Sequence, residues 1–419
     1  MLVLDDDPTG SQLSSDVGVL LRPDRAGLRD WLRGSDPGLY LVTNTRSMSA
    51  PEAVALLRAI RADVDALAGD EGQRVAYVLR GDSTLRGHVF EESAVFEEAG
   101  GVLLFVPAFP EAGRVTVGGI HYLRTSHGVV PVARTEFAQD PVFAYRSETL
   151  ADWVLERGGP RPVIHVPLER LRADGPGAVA GALLAAAAGA VVIPDVETGG
   201  DAGHVTAGLL AAERAGRPVT VRCAATLAAL RIGSRPRRLA AVPVPGDRLL
   251  VVCGSHTELS SRQVAGLTGR YGPPVLLGTD RLLGPGAGEE VARVAQQLAV
   301  RLDDARVAVL ASERVRRAEH GGLEHGAAVM RGLTAVVTAV RDRIDACVVK
   351  GGITSADVAV AGLGGVRGRV LGQLEPGVSV WSLAVGDGKR VPYVIVPGNI
   401  GDDGTLVRCV GALVRKAAR

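Results

Sequence analysis

The 419-residue chain has very few lysines, and this scarcity removes one large class of nucleotide site. Lys350, Lys389 and Lys416 are the only ones, so almost all of the positive charge is arginine. No segment matches G-x-x-x-x-G-K-[ST], which excludes a P-loop. A G-x-G-x-x-G fingerprint after a strand is also missing, because the segment at residues 362–367 ends in arginine. The sequence therefore lacks the main feature of a dinucleotide-binding fold.

An excess of charge of either sign is missing as well. Lys plus Arg is 47 and Asp plus Glu is 46, a net charge of +1 without a basic block, which argues against a dedicated nucleic-acid binder. Aromatic residues make up only 4%, so aliphatic side chains must fill the core. The 47% of hydrophobic residues exclude a mainly disordered chain, and the length predicts two domains, or three at most.

Cysteine spacing and hydropathy exclude further classes. The four cysteines are far apart and never form C-x-x-C, so neither a disulfide framework nor a zinc site is indicated. The first residues turn acidic after Leu4, unlike a secretory signal. The uncharged stretch at residues 177–194 is mostly Ala and Gly, which predicts a buried helix and strand rather than a membrane span. We expect a soluble, cytoplasmic protein with neither a membrane nor a nucleic acid as partner.

Short apolar runs alternate with helix-length segments, which predicts an α/β fold. Continuous apolar runs predict buried strands of a parallel sheet at residues 2–4, 39–43, 75–79, 102–106, 163–166, 191–193 and 219–221. Helices are predicted at residues 51–68, 177–188 and 202–215.

A segment rich in Pro, Gly and Arg near residues 232–248 interrupts this alternation. We predict a domain at residues 1–232, a linker at 233–247 and a second domain at 248–419, each a largely parallel or mixed sheet flanked by helices. In the second domain, strands are predicted at residues 249–253, 274–277, 307–310, 346–349, 370–374, 378–383 and 391–396. Its helices are predicted at residues 258–268, 289–302, about 322–343 and from 402 onward.

Polar clusters follow four predicted strands of the first domain. Ligands of open α/β sheets bind beyond the carboxyl ends of strands, so these clusters converge on one crevice if the strands are neighbours. The crevice would contain the carboxylates of Asp6, Asp7 and Asp82, the guanidinium groups of Arg46, Arg80, Arg86 and Arg114, and the hydroxyls of Thr9, Ser83 and Thr84. Arginine binds carboxylates bidentately, and aspartate accepts hydrogen bonds or protons from hydroxyls, so the set suits a small polyhydroxylated acid. A single such cluster is more often a structural turn or helix cap, as Asp-Pro-Thr-Gly alone would be.

Three glycine-rich turns follow predicted strands of the second domain, beginning at Gly254, Gly351 and Pro397. Glycine lets a backbone approach a ligand closely, and helix N-termini favour phosphate, so the three together fit nucleotide phosphates. Each alone is equally typical of a plain tight turn. The histidines, including His121 and His256, are interpreted as solvated or hydrogen-bonded, and no Ser-His-Asp set is assigned.

These segments resemble the ordered motifs of the four-carbon acid sugar kinases, from about residue 3 to residue 411. The matching motifs are Asp6-Asp7-Pro8-Thr9-Gly10, Asn44-Thr45-Arg46-Ser47, Arg80-Gly81-Asp82-Ser83-Thr84-Leu85-Arg86-Gly87, Pro107-Ala108-Phe109-Pro110, Gly254-Ser255, Gly351-Gly352-Ile353-Thr354-Ser355 and Pro397-Gly398-Asn399-Ile400-Gly401. Asp-Ser-Thr-Leu-Arg-Gly is the most specific of them.

The resemblance implies an ATP-dependent kinase of threonate, erythronate or 3-oxo-tetronate type acids, with an acid-binding N-terminal and an ATP-binding C-terminal domain. It implies that the acid is bound by Asp6, Asp7, Arg46, Arg80, Asp82, Ser83 and Arg86. It implies that ATP is contacted by Ser255, Gly351, Gly352, Ile353, Thr354 and Gly398. Lys350 is the one lysine placed to assist at the phosphates.

We therefore predict a kinase whose active site lies in the cleft between its domains. Arg46, Arg80 and Arg86 are expected to hold the substrate carboxylate, and Asp82 or Asp7 to accept the proton of the attacking hydroxyl. Mg²⁺ is expected to bridge the ATP phosphates, with ligands that the sequence does not identify. Formation of a homo-oligomer is left open.

Two alternatives belong to other classes. One is a non-catalytic sugar-acid binding or regulatory protein on the same fold, which would bind the acid without phosphoryl transfer. The other is an NAD(P)-dependent oxidoreductase acting on a similar acid, which the missing fingerprint disfavours.

Overall fold

The computed structural model describes residues 1–7, 9–125, 128–314, 323–386, 388–398 and 400–414. Pro8, His320 and Asn399, which the sequence analysis considered, lie outside these residues. The chain divides into two compact units. Unit 1 comprises Met1–Leu13 and Arg22–Arg235, and unit 2 comprises Ser14–Leu21 and the chain from Pro236 onward.

The strands of the described residues are β1 (Leu2–Asp5), β2 (Val17–Leu20), β3 (Leu39–Val42), β4 (Tyr77–Arg80), β5 (Val102–Val106), β6 (Arg114–Val117), β7 (Ile120–Thr125), β8 (Gly128–Pro131), β9 (Val163–Val166), β10 (Val191–Pro194), β11 (Val219–Cys223), β12 (Leu249–Cys253), β13 (Val275–Leu277), β14 (Val307–Ser312), β15 (Ala346–Lys350), β16 (Gly365–Glu375), β17 (Val378–Val385) and β18 (Lys389–Val396). The α-helices are α1 (Arg25–Arg33), α2 (Ala50–Asp70), α3 (Val89–Phe96), α4 (Leu150–Gly158), α5 (Leu168–Asp174), α6 (Pro176–Ala185), α7 (Gly199–Arg214), α8 (Ala225–Ile232), α9 (Glu258–Tyr271), α10 (Ala287–Asp304), α11 (Leu323–Val340), α12 (Gly352–Asp357) and α13 (Thr405–Leu413).

Unit 1 is built around a parallel sheet with the strand order β3-β1-β4-β11-β5-β10-β9. Successive residues of β1, β3, β5 and β10 are all buried, so both faces of the sheet are covered. On one side the core includes Trp153, whose ring stacks on that of Phe105 with the centroids 5.2 Å apart. The predicted α/β fold is confirmed, and the apolar runs form parallel strands, although β9 at the edge of the sheet is only partly buried.

A three-stranded antiparallel sheet in unit 1 was not predicted. It contains β6, β7 and β8, and β6 pairs with β7 across the two-residue turn Gly118-Gly119. Both glycines have positive φ, 61° and 73°, the conformation that a tight hairpin turn requires. Two glycines between short β-rich segments are a hairpin signal, so this element could have been found in the sequence.

Unit 2 contains a mixed sheet. The strands β13-β14-β12-β15-β18 are parallel in that order, and β17, β16 and β2 continue the sheet with antiparallel pairing. Its core is aliphatic, with Val251, Val348 and Val394 completely buried on adjacent strands. A mixed sheet with flanking helices agrees with the predicted fold class.

Residues 14–21 lie in unit 2 although the chain on both sides of them lies in unit 1. Val17–Leu20 pairs antiparallel with β16, and the amide of Asp16 donates to the carbonyl of Val370 over 2.8 Å. The apolar pattern predicts no strand here, since only four residues pair and one of them is glycine.

No helix of the described residues is long and apolar enough to cross a membrane.

Candidate substrate and nucleotide sites

Three neighbouring strands of unit 1 bring charged side chains to one edge of the parallel sheet. Asp5, the last residue of β1, lies opposite Arg80, the last residue of β4. Asp6 and Asp7 follow β1, and Arg46 follows the other neighbour of β1, strand β3. Parallel strands end at the same edge, so these residues meet although up to 75 positions separate them along the chain.

The innermost part of this cluster is a buried group around Arg80. Arg80 Nη1 donates to Asp5 Oδ1 over 2.9 Å and lies 3.5 Å from Asp6 Oδ1. Burial raises the pKa of Asp5 to about 7, although the charge of Arg80 opposes the shift. Burial also raises the pKa of Asp6, and neither of its carboxylate oxygens has a hydrogen-bond partner among the described residues.

A second group, around Asp82, lies nearer the surface. Arg46 forms an ion pair with Asp7 and lies 3.3 Å from Asp82 Oδ1. Arg86 Nε donates to Asp82 Oδ2 over 2.8 Å, and the Thr84 hydroxyl donates to the same oxygen. Burial opposes ionisation of Asp82, but Arg46 and Arg86 outweigh it and hold its pKa well below the usual range. The pKa of Asp7 is lowered for the same reason, with Arg46 as the largest favourable charge.

Exposure separates the arginines that the sequence grouped together. The side chains of Arg46 and Arg86 retain 17% and 27% of their exposure, whereas that of Arg80 retains 4%. Arg80 therefore supports the site from beneath, and Arg46 and Arg86 line its open side.

Arg222 and Glu92 belong to the buried charges of this site, and the sequence analysis missed both. Strand β11 is inserted between β4 and β5, and its Arg222 forms an ion pair with Glu92 of α3. Arg222 Nη2 also lies 3.7 Å from Asp6 Oδ2. A Cβ at Gly81 would collide with the Arg222 guanidinium, which explains the glycine between Arg80 and Asp82. The available signal was an arginine in a strand whose other residues are Val, Thr and Cys.

The β6–β7 hairpin contacts the loop that follows β4. His121 Nε2 lies 2.9 Å from the carbonyl oxygen of Ser83, which can only accept, so this nitrogen carries the proton. The Thr116 hydroxyl then donates to His121 Nδ1 over 2.9 Å. Burial lowers the pKa of His121 to about 4, which favours the neutral ring that this arrangement needs. Interpreting His121 as a hydrogen-bonded histidine agrees with these contacts.

The three glycine-rich turns of unit 2 come together at the carboxyl ends of β12, β15 and β18, which are adjacent parallel strands. A Cβ at Gly254 would lie 2.5 Å from Thr354 Oγ1. A Cβ at Gly398 would lie 3.2 Å from Ser255 Oγ, and Gly351 has a φ of 117° beside the same two side chains. Only glycine fits these positions without displacement, so the turns form one closely packed cradle.

Lys350 anchors one of these turns instead of facing solvent. Its ammonium group is buried and donates to the carbonyls of Pro397 over 2.7 Å and Ile400 over 3.2 Å. Gln263 of α9 donates to the same Ile400 carbonyl over 3.2 Å. Lys350 therefore positions the turn after β18, and the sequence analysis did not single out Gln263.

Hydroxyl groups and one arginine hold the turn after β12. Arg314 Nη2 donates to the carbonyl of Ser255 over 2.6 Å. The Ser260 hydroxyl donates to Ser255 Oγ over 2.9 Å, and the Thr257 hydroxyl donates to the carbonyl of Gly398 over 3.2 Å. The predicted residues Ser255 and Gly398 are thus joined through the first turn of α9.

The remaining predicted residues of the cradle differ in exposure. Thr354 is buried against Gly254, whereas Ile353 is 57% exposed. An exposed aliphatic side chain beside a glycine cradle offers an apolar contact to a planar ring.

The described residues do not form a ready-made metal site, because no group of three or more His, Cys, Asp or Glu among them has the required proximity. The carboxylates of Asp7 and Asp82 are occupied by arginines. Magnesium commonly takes most of its ligands from phosphates and water, so a bound nucleotide could supply ligands to the ion.

The fold and the two sites define a two-domain α/β protein with a polar, carboxylate- and arginine-rich site in one unit and a glycine cradle in the other. Residues 1–231 match the family model of a sugar-binding N-terminal domain, and residues 250–406 match that of a nucleotide-binding C-terminal domain. The chain belongs to the four-carbon acid sugar kinase family.

Two curated relatives carry kinase names. A D-threonate kinase from Cupriavidus necator is 31% identical over 221 residues, which is 52% of this chain and 51% of the relative. A D-erythronate kinase from Heliobacterium modesticaldum is 28% identical over 282 residues, which is 64% of this chain and 59% of the relative. The matches thus span only about half to three fifths of the length of these relatives.

Two crystal structures share the fold. A Salmonella typhimurium LT2 protein, provisionally named a tRNA synthase, superposes with a TM-score of 0.72 at 18% identity, covering 97% of this chain and 98% of that one. Haemophilus influenzae protein HI1011 gives a TM-score of 0.68 at 15% identity, covering 98% and 99%. At such low identity these likenesses show the fold alone.

Proposed function

We propose that this protein transfers the γ-phosphoryl group of ATP to a hydroxyl of a four-carbon sugar acid of the threonate, erythronate or 3-oxo-tetronate type. The proposal rests on the presence of two different candidate sites in one chain. Unit 1 gathers arginines and aspartates at one sheet edge, and unit 2 gathers three glycine turns at another. The kinase names of two relatives support the same reaction.

In this proposal the acid binds to a site in unit 1. Its residues are Asp6, Asp7, Arg46, Arg80, Asp82, Ser83 and Arg86. Hydroxyl groups of the acid would donate to the ionised carboxylates of Asp7 and Asp82, which low pKa values keep charged at neutral pH. Arg80 and Asp6 would support these contacts from the buried side.

The nucleotide site of this proposal is the glycine cradle of unit 2. Its residues are Ser255, Gly351, Gly352, Ile353, Thr354 and Gly398. Backbone amides at closely packed glycines suit phosphate oxygens, and Ile353 offers its exposed side chain to the base. Lys350 would act indirectly, through the turn that it holds. Bound Mg²⁺ would lower the negative charge of the phosphates, with the nucleotide as its main ligand.

In the transfer step, a hydroxyl oxygen of the acid attacks the γ-phosphorus as the bond from that phosphorus to the β-phosphate oxygen breaks. ADP leaves, and the proton of the hydroxyl passes to Asp82 or Asp7. Phosphoryl transfer depends mainly on positioning and charge stabilisation, so a weakly basic carboxylate is adequate for this role. The step requires the acid and the nucleotide to be brought within reach of each other.

The test is coupled ADP release with ATP and magnesium against D- and L-threonate, D-erythronate and 3-oxo-tetronate, with glycerate as a shorter control. Turnover on one acid well above glycerate would establish the reaction and identify the substrate. An acid that binds tightly without any ADP release would contradict the kinase and favour a binding or regulatory protein. NAD(P) binding in place of ATP binding would favour an oxidoreductase.

A further inference from the structure

Arg114 is a buried arginine for which the described residues supply no carboxylate partner. It begins β6, and only 7% of its surface is exposed. Its Nη1 donates to the carbonyl of Ala112 over 2.6 Å, and its Nε is buried with no hydrogen-bond partner among the described residues. The described part of the chain supplies no ion pair to it. Burying a guanidinium without a compensating anion costs free energy, so its burial here requires a functional or structural explanation.

The other arginines of the acid site are already compensated. Arg46 pairs with Asp7 and Asp82, and Arg86 pairs with Asp82. The two deeper ones pair likewise, Arg80 with Asp5 and Arg222 with Glu92. A substrate carboxylate that approached these four would compete with an existing partner. Among the described residues, Arg114 has no carboxylate partner that a substrate would have to displace.

The backbone around Arg114 fixes its place. Phe109 and Arg114 exchange both backbone hydrogen bonds, at 2.8 and 3.0 Å, and close a tight loop. Gly113 turns this loop with a φ of 75°, and a Cβ there would lie 2.6 Å from the carbonyl of Arg124. The guanidinium is therefore carried by a rigid element, as a preorganised binding group should be.

Arg114 lies in the hairpin that contacts the acid site, because Thr116 of the same strand donates to His121, and His121 donates to the carbonyl of Ser83 next to Asp82. Asp82 and Arg86 are the charges that act on Arg114 most strongly, and burial lowers its pKa. Its own charge acts on His121, which holds the carbonyl of Ser83. Asp82 already forms an ion pair with Arg46 and accepts hydrogen bonds from Arg86 and Thr84, so it cannot fully neutralise Arg114 as well.

We propose that Arg114 is the residue that binds the carboxylate of the sugar acid and so makes the site specific for acids over neutral polyols. This inference rests on the proposed function and deepens it. A guanidinium fork matches a carboxylate with two parallel hydrogen bonds, and the incoming anion supplies the charge that Arg114 lacks. Arg46 and Arg86 then orient Asp7 and Asp82 toward the hydroxyls of the same molecule.

The test compares the acid with the matching four-carbon alditol, in which a CH₂OH group replaces the carboxylate. Binding of threonate and threitol, and of erythronate and erythritol, is measured by calorimetry without ATP, for the wild type, Arg114→Met and Arg114→Lys. We expect Arg114→Met to weaken acid binding at least about thirtyfold and to leave alditol binding unchanged. Arg114→Lys, which keeps the charge but not the fork, should lie between. Acid binding by Arg114→Met within threefold of the wild type would overturn the proposal.

A stability measurement separates ligand binding from a structural role. Arg114→Met removes an uncompensated charge, so its thermal midpoint without ligand should equal or exceed that of the wild type. A clearly lower midpoint would assign Arg114 to folding and contradict the proposal. The matched control is Arg124→Met on the neighbouring strand β7, where Arg124 is 42% exposed and pairs with Glu197. It should change neither acid binding nor the preference for the acid.

The same variants distinguish this inference from the proposed function. If the wild type binds the acid through Arg114 but transfers no phosphoryl group, the proposed kinase function is wrong, whereas the inference about Arg114 is supported. If the wild type turns over the acid and Arg114→Met raises only the KM for ATP, Arg114 contacts a phosphate group and the inference fails. If the wild type binds none of the acids, both fail.

Discussion

Lys350 Nζ lies 2.7 Å from the carbonyl oxygen of Pro397, and this hydrogen bond ties the end of β15 to the turn that follows β18. The ammonium group is fully buried, so its contacts with two carbonyls replace those it would make with water. Burial lowers the pKa of Lys350 to about 8. Lysine is the rarest charged residue of this chain, and Lys350 is buried inside unit 2, where it holds a turn.

The lowered pKa of Lys350 predicts a rise in stability with pH. In unfolded chains lysine titrates near 10.4, so between about pH 8 and pH 10 the native state binds fewer protons than the unfolded state. The unfolding free energy of the wild type should therefore rise relative to Lys350→Met over this range, by up to about 3 kcal/mol. Urea unfolding of both proteins at several pH values measures it. A difference in unfolding free energy that stays constant with pH would contradict the lowered pKa of Lys350.

The raised pKa of Asp5 predicts that the unfolding free energy falls as the pH rises, opposite to the effect of Lys350 and at lower pH. Burial raises the pKa of Asp5 to about 7, so the native state binds more protons than the unfolded state between about pH 4 and pH 7. Stability from this group is present below pH 4 and is lost as the pH rises through 7. Relative to Asp5→Asn, the wild type should lose up to about 4 kcal/mol over this range. Asparagine also disturbs Arg80, so the diagnostic quantity in urea unfolding is the slope with pH, and equal slopes would refute the raised pKa.

Asp82 should be the most sensitive carboxylate for activity. Asparagine cannot carry the charge that Arg46 and Arg86 face, and it is a far poorer proton acceptor. We expect Asp82→Asn to lower turnover at least about a hundredfold in the ADP-release assay. Asp63→Asn, at an exposed ion pair with Arg25, is the control and should keep full activity. Turnover of Asp82→Asn near that of the wild type would remove Asp82 from the proposed role.

Gly254 tests the packing of the glycine cradle. In Gly254→Ala the new Cβ would lie 2.5 Å from Thr354 Oγ1, which should cost about 1–3 kcal/mol of stability and weaken ATP binding. The matched control is Gly269→Ala in α9, where a Cβ meets nothing within 4 Å and should be neutral or stabilising by up to about 1 kcal/mol. Urea unfolding and ATP titration check both variants. Equal ATP affinity in the two would show that the cradle does not touch the nucleotide.

Much of the architecture could be read from local patterns. Apolar runs such as Val102–Val106 and Leu249–Cys253 predict their strands correctly, because a strand buried on both faces needs an unbroken run of apolar residues. The polar and glycine-rich segments after these strands mark the turns at the sheet edges. The hairpin turn at Gly118-Gly119 shows that one further element was readable and overlooked.

Strand order and side-chain pairing could not be predicted from local sequence patterns. Insertion of β11 between β4 and β5 brings Arg222 beneath Asp6, and pairing of Val17–Leu20 with β16 assigns an N-terminal segment to the other unit. The arginine in β11 is visible in the sequence, but its position beside Asp6 and the pairing of Val17–Leu20 are not, because each depends on contacts between residues far apart in the chain. The same holds for Arg46, Arg80, Arg86 and Arg114. They look alike in the sequence, and only the folded structure decides which of them pair with a carboxylate. Among the described residues, Arg114 pairs with none.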